Sequence, residues 1–171
     1  AFEITKPNDN AIIIMCHDDI EITDPPDVFK GNLLATQIPE IGFVGPAGTT
    51  HLGEDAIWWN QDNWKKGLHR GIVGHIDKIT ERPYGTNYGP PGQVVVLDGL
   101  FLAARAKVLK DVGLEKPDYF EGKWDFYDIH YTSEALKKSY ANHVIPIRIL
   151  HHSSGELAGR DSWHKNRQAF I

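Results

Sequence analysis

Residues 11–21 read AIIIMCHDDIE, and this run constrains the chain more than any other. Ala11, Ile12, Ile13, Ile14 and Met15 carry no charge and three of them are β-branched, the pattern of a strand buried on both faces. The run is too short for an ordinary helix, so extended backbone is expected. Its C-terminal end delivers Cys16, His17, Asp18, Asp19 and Glu21. In open α/β sheets that is where loops diverge and ligands bind. Adjacent carboxylates there suit a hard divalent cation, which in turn carries the charge of a phosphate. The plainer alternative is a solvated turn leading into Pro25.

The remaining composition narrows the partners. A chain of 171 residues supports one domain with a real core. The formal charge of −5 and the scattering of Lys and Arg leave no basic stripe, so no nucleic-acid partner is expected. Free nucleotides stay open, because a metal can replace basic side chains. The lone Cys16 excludes an internal disulfide framework; it is expected to be packed, and it suits a reducing compartment. No apolar run approaches the ~20 residues of a transmembrane segment, and no signal-peptide pattern opens the chain. The expectation is a soluble, cytoplasmic protein. Residues 1–6 read as the last turn of a helix, and a start at Ala1 suggests a processed or trimmed product.

Along the chain, Asp24 before Pro25 and Pro26 is a helix-start signal with Asp24 as N-cap. Val28, Phe29, Leu33, Leu34 and Ile38 then recur at helical spacing, predicting a helix that packs on the sheet and ends near Pro39. A short strand is expected at 41–45. Trp58 and Trp59 would alternate faces in extended chain, one buried and its neighbour facing a cleft; both filling core and rim is the alternative. A strand is expected at 71–79, and 81–92 (ERPYGTNYGPPG) reads as a surface loop or flap. The second buried strand, 93–98 (QVVVLD), again ends in an acid, Asp98, followed by Gly99. If parallel, the two strands place their terminal acids along one sheet edge. Residues 105–112 form a helix closed by Gly113. Trp124, Asp125, Phe126, Tyr127, Asp128 and His130 gather ahead of a helix at 132–141. An acid at a helix start gains ~0.3–1 kcal/mol from the dipole, so Asp128 also has a structural reason to exist. The last strand, 143–150, carries Pro146, a sign of an edge or bulge, and delivers His151 and His152, which could equally be surface imidazoles. The tail 157–171 reads as helix, with Trp163, Arg167 and Phe170 folding back.

Taken in order, HDDIE at 17–21, WW at 58–59, LDGLFLAAR at 97–105, FYDIH at 126–130 and HHSSG at 151–155 resemble the glycosyltransferase-2-like families of the GT-A fold. The likeness is to small members whose acid motif is written His-Asp-Asp. It implies an α/β, GT-A-like (Rossmann-like) domain over 1–171, with a mixed, mostly parallel central sheet flanked by helices. The implied activity is metal-dependent, inverting transfer from a nucleotide-diphosphate sugar donor to a carbohydrate or glycan acceptor. Under the resemblance Asp19 ligates Mn²⁺ or Mg²⁺, and Asp18 helps hold the metal or the donor's ribose. His17 replaces the usual first acid, Glu21 stands behind, and His151 completes the metal site with His152 as its rival. Asp98 and Gly99 position donor sugar and acceptor. Asp128 is the general base, with Tyr127 in place of the usual Glu. Trp58, Trp59, Trp124 and Tyr127 contact substrate, and burial by Trp124, Phe126 and Tyr127 would raise the proton affinity of Asp128. The family's nucleoside-binding β-α-β unit precedes the acid motif, yet only sixteen residues precede His17. The domain is therefore expected to be N-terminally incomplete, and no nucleoside-binding residue is assigned. Two alternatives stand beside this reading. One is a non-catalytic carbohydrate-binding or assembly domain on the same scaffold. The other is a metal-dependent phosphohydrolase built on a His17–Asp18 dyad, which implies an all-helical fold.

Overall fold

The computed structural model describes residues 6–77, 79–121, 125–152 and 161–171. Residues 1–5, Trp124 and the Ser153, Ser154, Gly155 end of the HHSSG motif lie outside the described residues. In chain order the elements are β1 (Ile12–Cys16), β2 (Ile20–Ile22), α1 (Pro26–Leu33), a 3-10 turn (Leu34–Gln37), β3 (Ile41–Gly45) and β4 (Ala47–Thr49). There follow α2 (Gln61–Lys65), β5 (His69–Ile76), β6 (Pro83–Gly89), β7 (Gly92–Val94), β8 (Val96–Leu97) and β9 (Phe101–Arg105). The chain continues through α3 (Ala106–Val112), α4 (Tyr127–Lys137), β10 (Ala141–Val144), β11 (Ile149–His151) and α5 (Asp161–Phe170).

The strands form two sheets. One is five-stranded in the order β1-β9-β3-β10-β7, the other six-stranded in the order β2-β11-β5-β4-β8, with β6 added on β5. The chain passes between them repeatedly: through 17–19 from β1 to β2, at Pro46, at Val95, through 98–100, and through 145–148. At the Pro46 crossing, the Pro46 carbonyl accepts from Ile72 N at 3.2 Å. Gly71 allows that approach: its φ is +103°, and a Cβ there would stand 1.9 Å from Pro46 O.

The mixed α/β class holds, but the sheets are not mostly parallel, so the Rossmann-like likeness is only partial. Only β3 with β10 and β5 with β11 pair in parallel; every other described pairing is antiparallel. Connections such as 77–82 and 98–100 are too short for the helical crossover that parallel neighbours require.

The doubly buried strand is β3, with every residue buried between β9 and β10. β1 instead ends the sheet order, bonds β9 on one side and leaves Ile14 40 % exposed. Its last residue, Cys16, is exposed rather than packed. Asp24 does not cap α1; its Oδ2 accepts from Arg148 N at 2.8 Å, and Pro25 holds the cap position. α1 buries Leu33, while Val28, Leu34 and Ile38 stay exposed, so its stripe covers less of the sheet than the spacing predicts. The expected flap at 81–92 contains β6, paired with β5 from Gly71↔Gly89 to Ile76↔Pro83. The runs 93–98 and 143–150 are each divided between the two sheets, the second at Pro146. Around β3 and β9, Phe43, Val44, Phe101 and Leu102 are fully enclosed, each contributing ~1.5–3 kcal/mol of apolar burial.

Candidate active site

A cleft of about 350 Å³ opens along the seam between the sheets. The crossings themselves furnish its polar groups. The β1–β2 turn supplies His17 to the lining and places Asp19 behind it, and His17 N donates to Leu100 O at 3.1 Å, tying this turn to the 98–100 crossing. β2 pairs with β11 in the register Ile20↔His151, and His152 N donates to Asp19 O at 2.9 Å. His151 thereby arrives beside the acid motif although 132 positions of sequence separate it from Asp19.

His17, Asp19 and His151 each offer one ligand atom within 4.8 Å of the others. Asp19 Oδ1 lies 3.8 Å from His17 Nδ1 and 3.3 Å from His151 Nε2. That oxygen is buried and makes no hydrogen bond among the described residues. A buried carboxylate oxygen in that state costs free energy unless something cationic meets it. His151 is buried, and loss of hydration holds its pKa below the ordinary imidazole value, against the pull of Asp19. It is therefore neutral at pH 7 and able to offer a ring nitrogen as a ligand. Asp18 is exposed and outside the trio. His152 turns to the exposed Glu21, 3.5 Å away.

Across the cleft stand two carboxyl groups. Asp98 follows β8, its Oδ1 accepting from Leu100 N at 3.1 Å. Asp128 lies in the first turn of α4, and its Oδ2 accepts from Gly99 N at 3.0 Å. Tyr127 Oη donates to Gly99 O in a short hydrogen bond. Gly99 is clasped so closely that a Cβ would stand 2.6 Å from Tyr127 Oη and 3.0 Å from Asp128 Cβ. Phe126, buried and left-handed at φ +70°, turns the chain into α4 so that both side chains reach Gly99. Burial pushes Asp98 up to about 6. Burial, with the charge of Asp98 beside it, pushes Asp128 up to about 6 as well. The Tyr127 phenol is raised far above its usual range by the same burial. No Lys or Arg lines the cleft among the described residues.

The walls are aromatic. Trp58 is 3 % exposed and meets Trp59, His69 and Tyr88 edge-on or tilted. Trp59 is 40 % exposed and leans on Trp163 of α5. Tyr84, Thr86 and Tyr88 project from one face of β6 into the cleft.

The model of a glycosyltransferase-like family matches residues 3–171. The chain belongs to that glycosyltransferase-like family. No curated protein matches it. Membership makes glycosyl transfer the reaction class, with a sugar donor and an acceptor.

In this glycosyltransferase-like chain the structure gathers most, not all, of the residues singled out from sequence. Asp98, Gly99, Tyr127, Asp128, His151, Trp58 and Trp59 line one cleft, and Asp19 stands against His151 behind its wall. Trp124 lies outside the described residues. His17 enters as a ring nitrogen beside Asp19 rather than a placeholder for an acid. Sequence reasoning did not single out His75, Tyr84, Tyr88, Asp125 and Trp163 as cleft residues. The period-two run Tyr84, Thr86, Tyr88 was a usable strand signal, obscured by the surrounding Gly and Pro.

Proposed function

We propose that the protein is a metal-dependent, inverting glycosyltransferase that uses a nucleotide-diphosphate sugar. The observation that carries this reading is that the His17–Asp19–His151 trio and the Asp98–Asp128 pair flank one cleft that no described Lys or Arg lines. A phosphate and a carboxylate ~6 Å apart repel by ~3 kcal/mol at an effective dielectric of ~20. A diphosphate therefore needs a cation to enter, and the orphaned Asp19 Oδ1 between two imidazoles fits one. His17, Asp19 and His151 would hold Mn²⁺ or Mg²⁺, which when bound supplies charge neutralisation for the departing diphosphate. Two nitrogen donors favour Mn²⁺ over the all-oxygen preference of Mg²⁺.

Asp128 acts as general base. With a pKa near 6 it is ionised at neutral pH and a better proton acceptor than a solvated carboxylate. The acceptor oxygen bonds to the anomeric carbon as the bond to the diphosphate oxygen breaks; the electron pair leaves with the diphosphate and the proton passes to Asp128. One displacement inverts the anomeric configuration. Gly99, clasped by Tyr127 and Asp128, fixes the carboxylate for this task. The phosphohydrolase alternative needs His17 and Asp18 to act together on a helical scaffold. Here the two follow a strand, and Asp18 is exposed while His17 faces the cleft.

Calorimetry with Mn²⁺ and a panel of nucleoside diphosphates tests the reading. Metal-dependent binding should appear in the wild type and vanish in Asp19→Ala with the fold retained. Equal affinity in both proteins would remove the metal role.

A further inference from the structure

The cleft has two ends, and β6 measures the distance between them. Tyr84 stacks on His75 with centroids 5.2 Å apart, and His75 lies 5.9 Å from the His151 ring of the trio. Four residues along the same strand face, Tyr88 meets Trp58 at 5.6 Å. At ~3.3 Å per residue, shortened by the register shift at Tyr88, the two tyrosines that touch these ends stand roughly 10–13 Å apart along the strand. The carboxyl pair stands between the two: the charge of Asp98 reaches Tyr88, and the 98–100 crossing that carries Asp98 is tied to His17. Phe126, immediately before Tyr127 and Asp128, packs on Trp163 at 5.7 Å, and Trp163 packs on Trp59 at 5.6 Å.

Trp59 is a large apolar ring left 40 % exposed in a cleft while its neighbours Trp58 and Trp163 are buried. Rings packed at 86° and 44° hold it in place, so it presents a fixed face at low entropic cost. The C–H-rich face of a pyranose matches such a ring. Asp98 and Asp128 stand beside this end, and among the described residues no Lys or Arg lines the cleft. We infer that this end is the acceptor subsite, that it seats a sugar ring on Trp59, and that it selects acceptors free of anionic groups. An acceptor bearing a carboxylate or phosphate would meet like charge on the side where the base must stay ionised. Neutral and amine-bearing sugars would not. The word acceptor rests on the transferase reading; the binding preference does not.

Titration of the full chain without metal or nucleotide separates the two. The probes are neutral gluco-, galacto- and manno-configured trisaccharides, their amine-bearing counterparts and oligouronates of equal length, followed by NMR shifts and tryptophan fluorescence. At least one neutral or amine-bearing probe should bind about tenfold or more tighter than the matching uronate, a difference of ~1.4 kcal/mol. Trp59→Ala should lose about tenfold of that affinity, Trp59→Tyr should recover part of it, and neither should change Mn²⁺-dependent diphosphate binding. Uronates binding as well as neutral probes, undiminished binding in Trp59→Ala, or no binding across the whole panel would each overturn the inference. Any of these can occur with metal-dependent diphosphate binding intact, and the reverse also holds.

Discussion

Asp128 begins a helix whose dipole favours its charge, yet the surrounding protein pushes its carboxyl up to about 6, so burial and the Asp98 charge outweigh the dipole. The consequence for stability has a definite sign. A folded-state pKa above the ordinary 3.8 means the native state binds protons more tightly than the unfolded chain. Stability then falls as pH rises from about 4 through about 6 and stays penalised above that. The full shift corresponds to ~3 kcal/mol, and partial exposure to the cleft reduces this to ~1–2 kcal/mol. Asp128→Asn keeps an oxygen for Gly99 N and removes the charge. It should gain ~1–2 kcal/mol in urea unfolding at pH 8, gain nothing below pH 4, and lose about 10²–10⁴ in turnover with diphosphate binding intact. Reduced stability at pH 8 would mean the residue is structural. In the wild type, turnover should rise with pH through about 6, an apparent value belonging to the coupled Asp98–Asp128 pair. Gly99→Ala should lose activity and ~1–3 kcal/mol of stability, because its methyl would displace Tyr127 Oη from the clasp.

At the scale of elements, Asn142 of β10 is the bond between sheet crossing and helix. Its Oδ1 accepts from Phe43 N of β3, and its Nδ2 donates to Val95 O at the crossing and to Thr132 O of α4. Asn142→Ala leaves Phe43 N without this acceptor and takes one donor each from Val95 O and Thr132 O, so chemical denaturation should register a loss of ~1–3 kcal/mol. These ties also show what could and could not be read beforehand. The 41–45 strand and the α3 stop at Gly113 were legible because local pattern and final environment agree; Trp58 and Trp59 do divide into one buried and one exposed ring, but in a turn rather than in the extended chain expected. The break of 93–98 at Val95 was not, since an unbroken apolar run carries no sign that its halves join different sheets. Pro146 carried such a sign for 143–150. β6 was masked by residues of low strand propensity, and its pairing with β5 overrode them. In the site, Asp98, Asp128 and His151 could be found from motif order. His75 and Trp163 could not, because only the β5–β11 register and the packing of α5 bring them in.

For the molecule as a whole, the trio joins the β1–β2 turn to β11, so a bound cation should stabilise the fold as well as the substrate. At a hundredfold excess over its dissociation constant, mass action gives ~2.7 kcal/mol. For a domain of this size that is a rise in Tm of roughly 5–10 °C, readable by thermal scanning. Mn²⁺ should give it, Mg²⁺ less, chelation should reverse it, and Asp19→Ala should show none. A Tm indifferent to Mn²⁺ would leave the buried Asp19 oxygen unexplained. Among the described residues no helix is long and apolar enough to cross a membrane. The hairpin of β5 and β6 carries a last implication. Because side chains alternate along a pleated strand except at a bulge, the reach from cation to indole lengthens in regular steps of two residues, ~6.6 Å each. A relative lengthened by one such pair in each strand would keep the same side chains facing inward and admit a longer substrate, whereas a single added residue must be taken up as a bulge, as β6 already does beside Tyr88.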